Sequence, residues 1–317
     1  MKLFKHLFFL LFFFCFELSF SQTTIVTSSP IYISQWSNKN TIGVDFSEMS
    51  FLNWSAGGNN SISGLLKGNF IRKYSTKSIK WLNELIVRYG VNKQDGVELR
   101  KTDDAFQFNS TFGHRTDSLS NWYHSAKFNF NSQFTNGYSY PNTDIAISKP
   151  FAPAYLFLGV GAEYANKDKK INVYISPLTM KMTLVLDQSL ANQGAFGVVK
   201  ATFDNDGNLI ALGKKSKIEF GFLISATNKK YIAKNITMEN KLSLYSDYIN
   251  KFGNIDLDWQ IQFDLVVNQY VRATIGSHLI YDDDIKAKEE QNGIQVTVGP
   301  KVQLKQIFGV GLVYDFK

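Results

Sequence analysis

Few residues in this 317-residue chain combine the types and spacing that covalent chemistry needs. Besides His6, just ahead of an apolar N-terminal run, the histidines are His114, His124 and His278, each in a different expected strand. A serine hydrolase needs a His hydrogen-bonded to the nucleophile and a third polar group that orients the His. Ser110 falls on the same strand face as His114, and Ser277 adjoins His278, but such neighbours are common in a serine-rich chain. No nucleophile motif accompanies them, so no catalytic residue is assigned and the chain is not read as an enzyme.

Two acidic groups suggest cations. Asp204, Asp206 and Asn208 resemble the start of a calcium loop, yet Gly207 is misplaced for an EF-hand and Lys215 stands where the closing Glu belongs. A β-turn explains them better. Asp282, Asp283 and Asp284 could hold a hard cation, but with Lys286 and Lys288 beside them they read as a solvated loop tip. No metal-binding or cofactor-binding residue is assigned, and no cofactor is expected. The run from Trp54 to Asn60, with two glycines and amides able to bond their own backbone, is either a tight loop or a loop folded inward to narrow a pore.

What positions these residues follows from the wider pattern. Lys2 and Lys5, an apolar run from Leu7 to Phe16, and Ser19-Phe20-Ser21 form a secretory signal, with cleavage expected after Ser21. The run is shorter than the roughly 20 apolar residues of a spanning helix. The only cysteine, Cys15, lies inside it, flanked by Phe14 and Phe16 where a lipidated cysteine follows small residues. The mature chain thus has neither disulfides nor thiolate metal sites. Removing Lys2, Lys5 and Glu17 lowers the net charge of +7 by one. The basic residues are dispersed, so nucleic acid is not an expected partner, whereas loops near anionic lipid headgroups suit them. Past the signal no stretch of roughly 18 uncharged apolar residues offers a transmembrane helix. Aromatic residues nevertheless make up 15% of a chain that is only 44% hydrophobic. Such a mixture suits strands facing two environments.

Alternation with period two dominates from about residue 40 onward. From Trp122 to Phe134 the even positions are mostly apolar, while the odd positions include Lys127, Asn129, Asn131 and Gln133. The same split recurs from Ile79 to Val91 and from Ile255 to Leu265. Twelve strands are predicted, near 40–52, 60–74, 78–92, 103–115, 121–136, 153–165, 171–186, 214–226, 234–247, 253–267, 269–282 and 293–316. Many reach the roughly 9 to 11 residues of a tilted transmembrane strand. Short and long connections largely alternate, with Tyr248 to Phe252 the short exception on the long side. This predicts an all-β transmembrane antiparallel barrel of about 12 strands with periplasmic short turns and termini. Fourteen is the alternative, with a hairpin near Lys305-Gln306 and an extra strand between Asp187 and Gly213. The expected organisation is 1–21 signal peptide, 22–39 N-terminal periplasmic segment and 40–317 outer-membrane barrel. In the last strand Phe308, Val310, Leu312, Tyr314 and Phe316 share a face, resembling the terminal signal that barrel-assembly machinery reads, although Lys317 follows the final aromatic.

The run Trp54-Ser55-Ala56-Gly57-Gly58-Asn59-Asn60-Ser61 resembles a Bacteroidota outer-membrane family, domain of unknown function 3078. Further similar segments are Ser176-Pro177-Leu178-Thr179, Val185-Leu186-Asp187, Gly194 to Val198, Tyr281 to Asp284, Gln303-Leu304-Lys305 and Gly309-Val310-Gly311. The resemblance implies an outer-membrane barrel and carries no catalytic residue across. The expected function is a channel or transporter for small solutes or apolar molecules; the alternative is a binding or scaffold subunit of an envelope complex. Outer-membrane lipid, the barrel-assembly machinery and envelope proteins are the expected partners.

Overall fold

The computed structural model describes residues 35–50, 59–166, 168–250, 252–291 and 294–316. The expected signal peptide, residues 22–34 of the N-terminal segment, and residues 54–58 of the Trp54 run lie outside them. Within them twelve antiparallel strands close into a barrel: β1 Gln35–Met49, β2 Ser61–Ser75, β3 Ile79–Gln94, β4 Val97–His114, β5 Trp122–Ser132, β6 Ala154–Asn166, β7 Ile171–Leu184, β8 Ser216–Ala233, β9 Ile236–Asp247, β10 Asp256–Val266, β11 Val271–Tyr281 and β12 Gln303–Phe316. Each strand pairs with its neighbours in sequence, and β1 pairs β12 from Asn40↔Phe316 to Asp45↔Gly311 to close the ring. Closure leaves no sheet edge, the condition for placing backbone in hydrocarbon.

Short turns join β2–β3, β4–β5, β6–β7, β8–β9 and β10–β11 at one end, as the alternation of connections predicts. At the other end three details differ from the sequence reading. The predicted long loop between β3 and β4 is the two-residue turn Asp95-Gly96, because both strands continue past the barrel and pair almost to their tips. Tyr248 to Ile255 is longer than read. The predicted segment 293–316 contains two elements: Ile294–Pro300 folds back on Lys286–Gln291 as a separate ribbon, and the barrel strand begins at Gln303. The turn at Asp204 to Asn208 closes a small ribbon, Thr202–Phe203 with Leu209–Ala211, inside the β7–β8 loop and adds no barrel strand.

Ion pairs fix which face is inside. Lys80 of β3 reaches Glu163 of β6, Lys181 of β7 reaches Asp256 of β10, and Lys305 of β12 reaches Asp103 of β4. Strands that far apart around a ring meet only through the lumen. Every residue in register with these therefore faces inward, and the alternate positions face outward. Outward positions between the two rims carry no Asp, Glu or Lys among the described residues; Arg72, beside the short-turn rim in register with Asn83, donates to Asn40 Oδ1 at 2.7 Å, and large apolar groups such as Leu66, Phe308 and Leu312 stand exposed in the band. Polar side chains in this band satisfy one another: Trp81 Nε1 donates to Ser110 Oγ, which donates to Asn83 Oδ1, and Trp259 Nε1 donates to Asn240 Oδ1.

Aromatic rings gather at both rims. At the short-turn end Trp36 packs against Tyr74 and Trp81, Trp122 against Tyr164, and Tyr314 against Phe316. At the long-loop end Phe106 and Phe130 meet Phe134 and Phe151, and Tyr248 meets Phe252. Girdles of this kind flank the apolar band of barrels that sit in a bilayer. Val310→Arg, in the middle of that band, should cost about 2–4 kcal/mol. Asn131→Lys, facing the lumen, should cost about 0.5 kcal/mol or less. Urea unfolding of the barrel refolded into lipid vesicles measures both; equal costs would mean that the outward face does not meet lipid.

Candidate functional site

The lumen carries most of the buried polar groups among the described residues, arranged in tiers. Near the short turns, Glu163 is almost fully buried and binds Lys80 Nζ at 2.9 Å, with Ser125 Oγ donating at 3.0 Å and Asn172 donating from β7. Lys80 can cross two strands because the residue beside it on β4 is Gly113, where a Cβ would stand 2.8 Å from Lys80 Cε. Its ammonium ends 4.0 Å from the ring centre of Tyr123, and that of Lys127 lies 4.3 Å from Tyr174. On the adjoining wall, at mid-height, Asn69 and Asn109 donate to the two oxygens of Glu84, and Asn129 donates to Asn109. This rung crosses four strands, β2 to β5, and takes in one of the predicted inward amides.

From the level of Glu163 upward the β6–β9 wall is filled by Tyr174, Leu223 and Tyr245 with Phe157 against them. Nearest the long loops lies the densest charge group. Lys181 Nζ is 2.7 Å from Asp256, 2.9 Å from Asp282 and 3.9 Å from Glu219, and Lys217 joins Glu219 at 3.3 Å to Asp284. The opposite wall holds Asp45 with Lys67 at 2.7 Å and Asp103 between Arg88 and Lys305. Unlike charges alternate on both walls, which attracts no single sign of ion strongly.

Loops cross the mouth at this end. Helix α1, Gln188–Asn192, starts at Asp187, whose side chain accepts from Leu190 N. Lys149 Nζ, 2.7 Å away, and Ser189 hold the Asp187 carboxyl well below the usual carboxylate range. Leu190 and Ala191 pack with Ala152, Val185 and Val198, joining the β5–β6 loop to the β7–β8 loop. Gly197 in turn lies against Asp284 of the β11–β12 loop. A chain of contacts from β6 to β11, nearly opposite around the ring, has to pass over the lumen.

The residues singled out for chemistry do not converge. His114 and His124 face each other on the outer surface at the short-turn rim, while His278 faces inward and pairs with Asp258 at 2.9 Å. The Ser110 hydroxyl is engaged by Trp81 and Asn83, and Ser277 points away from the face that carries His278. Asp204 accepts from the backbone of Asp206 and Asn208 and from the Asn208 side chain, the β-turn arrangement, and the Asn208 amide lowers its pKa. The acidic run at Asp282 is divided: Asp282 and Asp283 group with Asp256, each offering an oxygen within 4.8 Å of the others, while Asp284 turns to Lys217. The Lys181 ammonium already sits against two of those three carboxylates. Sequence reasoning missed Lys181 and Glu219, although a phase change within β7 marks where Lys181 turns inward.

Residues 46–138 match the family described as protein of unknown function (DUF3078). No curated protein matches the chain. Among solved structures, an outer membrane channel from Pseudomonas putida F1 is similar at 8% identity and a TM-score of 0.41, over 92% of this chain and 100% of that one. The translocator domain of the autotransporter NalP from Neisseria meningitidis aligns at 9% identity and a TM-score of 0.38, over 89% and 88%. The NanC porin aligns at 11% identity and 0.36, over 86% and 98%.

Proposed function

We propose that this chain is an outer-membrane β-barrel that passes small polar solutes through its lumen beneath a cap formed by the β7–β8 loop. The observation that carries the reading is the division of the closed wall: a largely apolar exterior between aromatic girdles, charged at Arg72 beside the short-turn rim, and an interior lined by hydrogen-bonded amides and balanced ion pairs. A wall that only scaffolded would have no need of a wet interior, and balanced charge favours neutral or zwitterionic solutes over ions of one sign. In this reading short turns and termini are periplasmic, lipid covers the outer wall, and the barrel-assembly machinery reads β12.

Planar-bilayer recording tests the reading. The full-length mature barrel should show discrete conductance steps, and replacing residues 188–213 by a short Gly-Ser link should enlarge them by removing the cap. A folded barrel that shows neither conductance nor uptake of any solute, with or without the loop, overturns it. A second reading as a scaffold subunit has one observation in its favour: Val199, Phe203, Leu209, Ile210 and Leu212 stand exposed on the β7–β8 ribbon. Partners co-purifying in fixed ratio under mild detergent, and lost with the ribbon, would support it.

A further inference from the structure

We propose that a cleft at the long-loop end, between the β3–β4 hairpin and the β5–β6 loop, binds one ring of a neutral, hydroxyl-rich ligand of the saccharide class. The cleft has a volume of about 220 Å³, below the roughly 300–1,000 Å³ of drug-sized pockets, which suits a single sugar ring. It is built into the fold. Strand β4 carries one extra residue, Thr102, against β3, and the neighbouring Lys101 N–H turns to the Tyr140 hydroxyl at 2.9 Å. Asp104 accepts from Phe134 N, Thr135 N and Thr135 Oγ1 at 2.7–2.9 Å and fixes the start of the β5–β6 loop. The walls therefore stand in place before a ligand arrives.

Charge and hydrogen-bond capacity select the ligand. Each ionised group in the floor is matched: Lys101 with Asp104 at 2.9 Å, and Asp103 with Arg88 at 3.1 Å and Lys305 at 2.9 Å. An ionic ligand would have to break one of these half-buried pairs, which costs more than it returns. Neutral groups remain available. The two amide hydrogens of Gln133 are shared among Ser148 Oγ, Thr135 O and Lys149 O, which leaves its oxygen to accept. Ser148 and Tyr140 both accept within the wall and keep their protons to donate. Neutral donors beside an amide acceptor suit vicinal hydroxyls. The rings of Tyr138 and Tyr140, centroids 6.2 Å apart and inclined at 57°, supply apolar faces for the C–H side of a sugar ring, and the Arg100 guanidinium, 5.2 Å from Tyr140, holds that ring in place. Asp103 belongs to both the cleft and the lumen wall, so the site lies at the lumen's mouth, but it stands whether or not the lumen conducts.

Saturation-transfer NMR on the full-length mature barrel in amine-oxide micelles tests this, sugar-headed detergents being excluded as competitors. The probes are D-glucose, D-galactose and N-acetyl-D-glucosamine, with succinate and putrescine as charged counterparts of similar size. Saturable transfer with a millimolar midpoint is expected for at least one sugar, weaker by about tenfold or more in Tyr138→Ala, and absent for the charged probes. Ile147 lines the cleft but is half exposed, so Ile147→Trp should fill it without disturbing the fold, which heat-modifiable migration verifies. Loss of the sugar signal in this variant supports the site. Absence of saturable transfer from all three sugars, undiminished transfer in Ile147→Trp, or preferential binding of a charged probe overturns it.

Discussion

Lys181→Met should destabilise the barrel by about 3–5 kcal/mol, the cost of leaving buried charges without their partner. Lys181 is, among the described residues, the one cation paired with both Asp256 and Asp282, and it also neighbours Glu219, whose own nearer partner is Lys217. Methionine keeps the length and apolar stem of the side chain, so the loss isolates the ammonium, its approach to within 5.3 Å of the Tyr245 ring centre included. Urea unfolding in detergent, followed by gel migration, gives the cost. The triple variant Lys181→Met, Asp256→Asn, Asp282→Asn removes both the cation and the two carboxylates it serves, and should recover most of the loss. A single variant within about 0.5 kcal/mol of the parent would mean that water reaches the group freely.

The pattern along the chain revealed the barrel because membrane and lumen impose opposite demands on alternate residues, and alternation survives in a list of residues. In β5 and β10 almost every residue can be assigned a face from its type alone. Where chain and bilayer part company that constraint disappears. Residues 92–102 mix charge and small groups, and they were read as a long loop although β3 and β4 pair on to Asp95-Gly96. The Asp282 run was legible as acidic but not as the partner of Lys181, a contact about a hundred residues away in sequence. Such pairs depend on how the ring closes, and neither spacing nor residue type records that. The same holds for the cleft beside Tyr138, whose walls come from two separate connections and which no local motif marks.

The phase change in β7 is present in the sequence, although the prediction of one strand over 171–186 passes over it, and it decides which residues meet the lumen. From Ile171 to Ile175 the odd positions are apolar, whereas from Leu178 to Leu184 the even positions are. Structurally this is a bulge: Gly221 and Leu223 of β8 pair with Thr179 and Ser176, and Val160 and Ala162 of β6 pair with Leu178 and Ile175. One extra residue on β7 turns both Ser176 and Thr179 inward, and with them Lys181. Without it Met180 and Met182 would face the lumen and Lys181 would face lipid. The Ser176 hydroxyl, with a single proton, lies 2.9 Å from the Val160 carbonyl and 3.0 Å from that of Leu178 and is shared between them, and Tyr248 donates to the Pro177 carbonyl, so the backbone at the bulge has side-chain donors. Room for it comes from Gly161, where a Cβ would stand 2.1 Å from Ile175 O and 2.8 Å from Ser176 Cα. Both are backbone atoms, which cannot step aside as a side-chain tip can. Gly161→Val should therefore force β6 and β7 apart or erase the bulge, and either outcome removes the Lys181 tier. The expected loss is about 4 kcal/mol or more, in the range where overpacking and a buried unpaired charge act together. Ala162→Val, one residue away on the outward face, should stay within about 0.5 kcal/mol. Refolding yield into vesicles, read by heat-modifiable migration, separates the two. If Gly161→Val refolds as well as Ala162→Val, the bulge does not fix the register of β7, and the inward placement of Lys181 loses its structural cause.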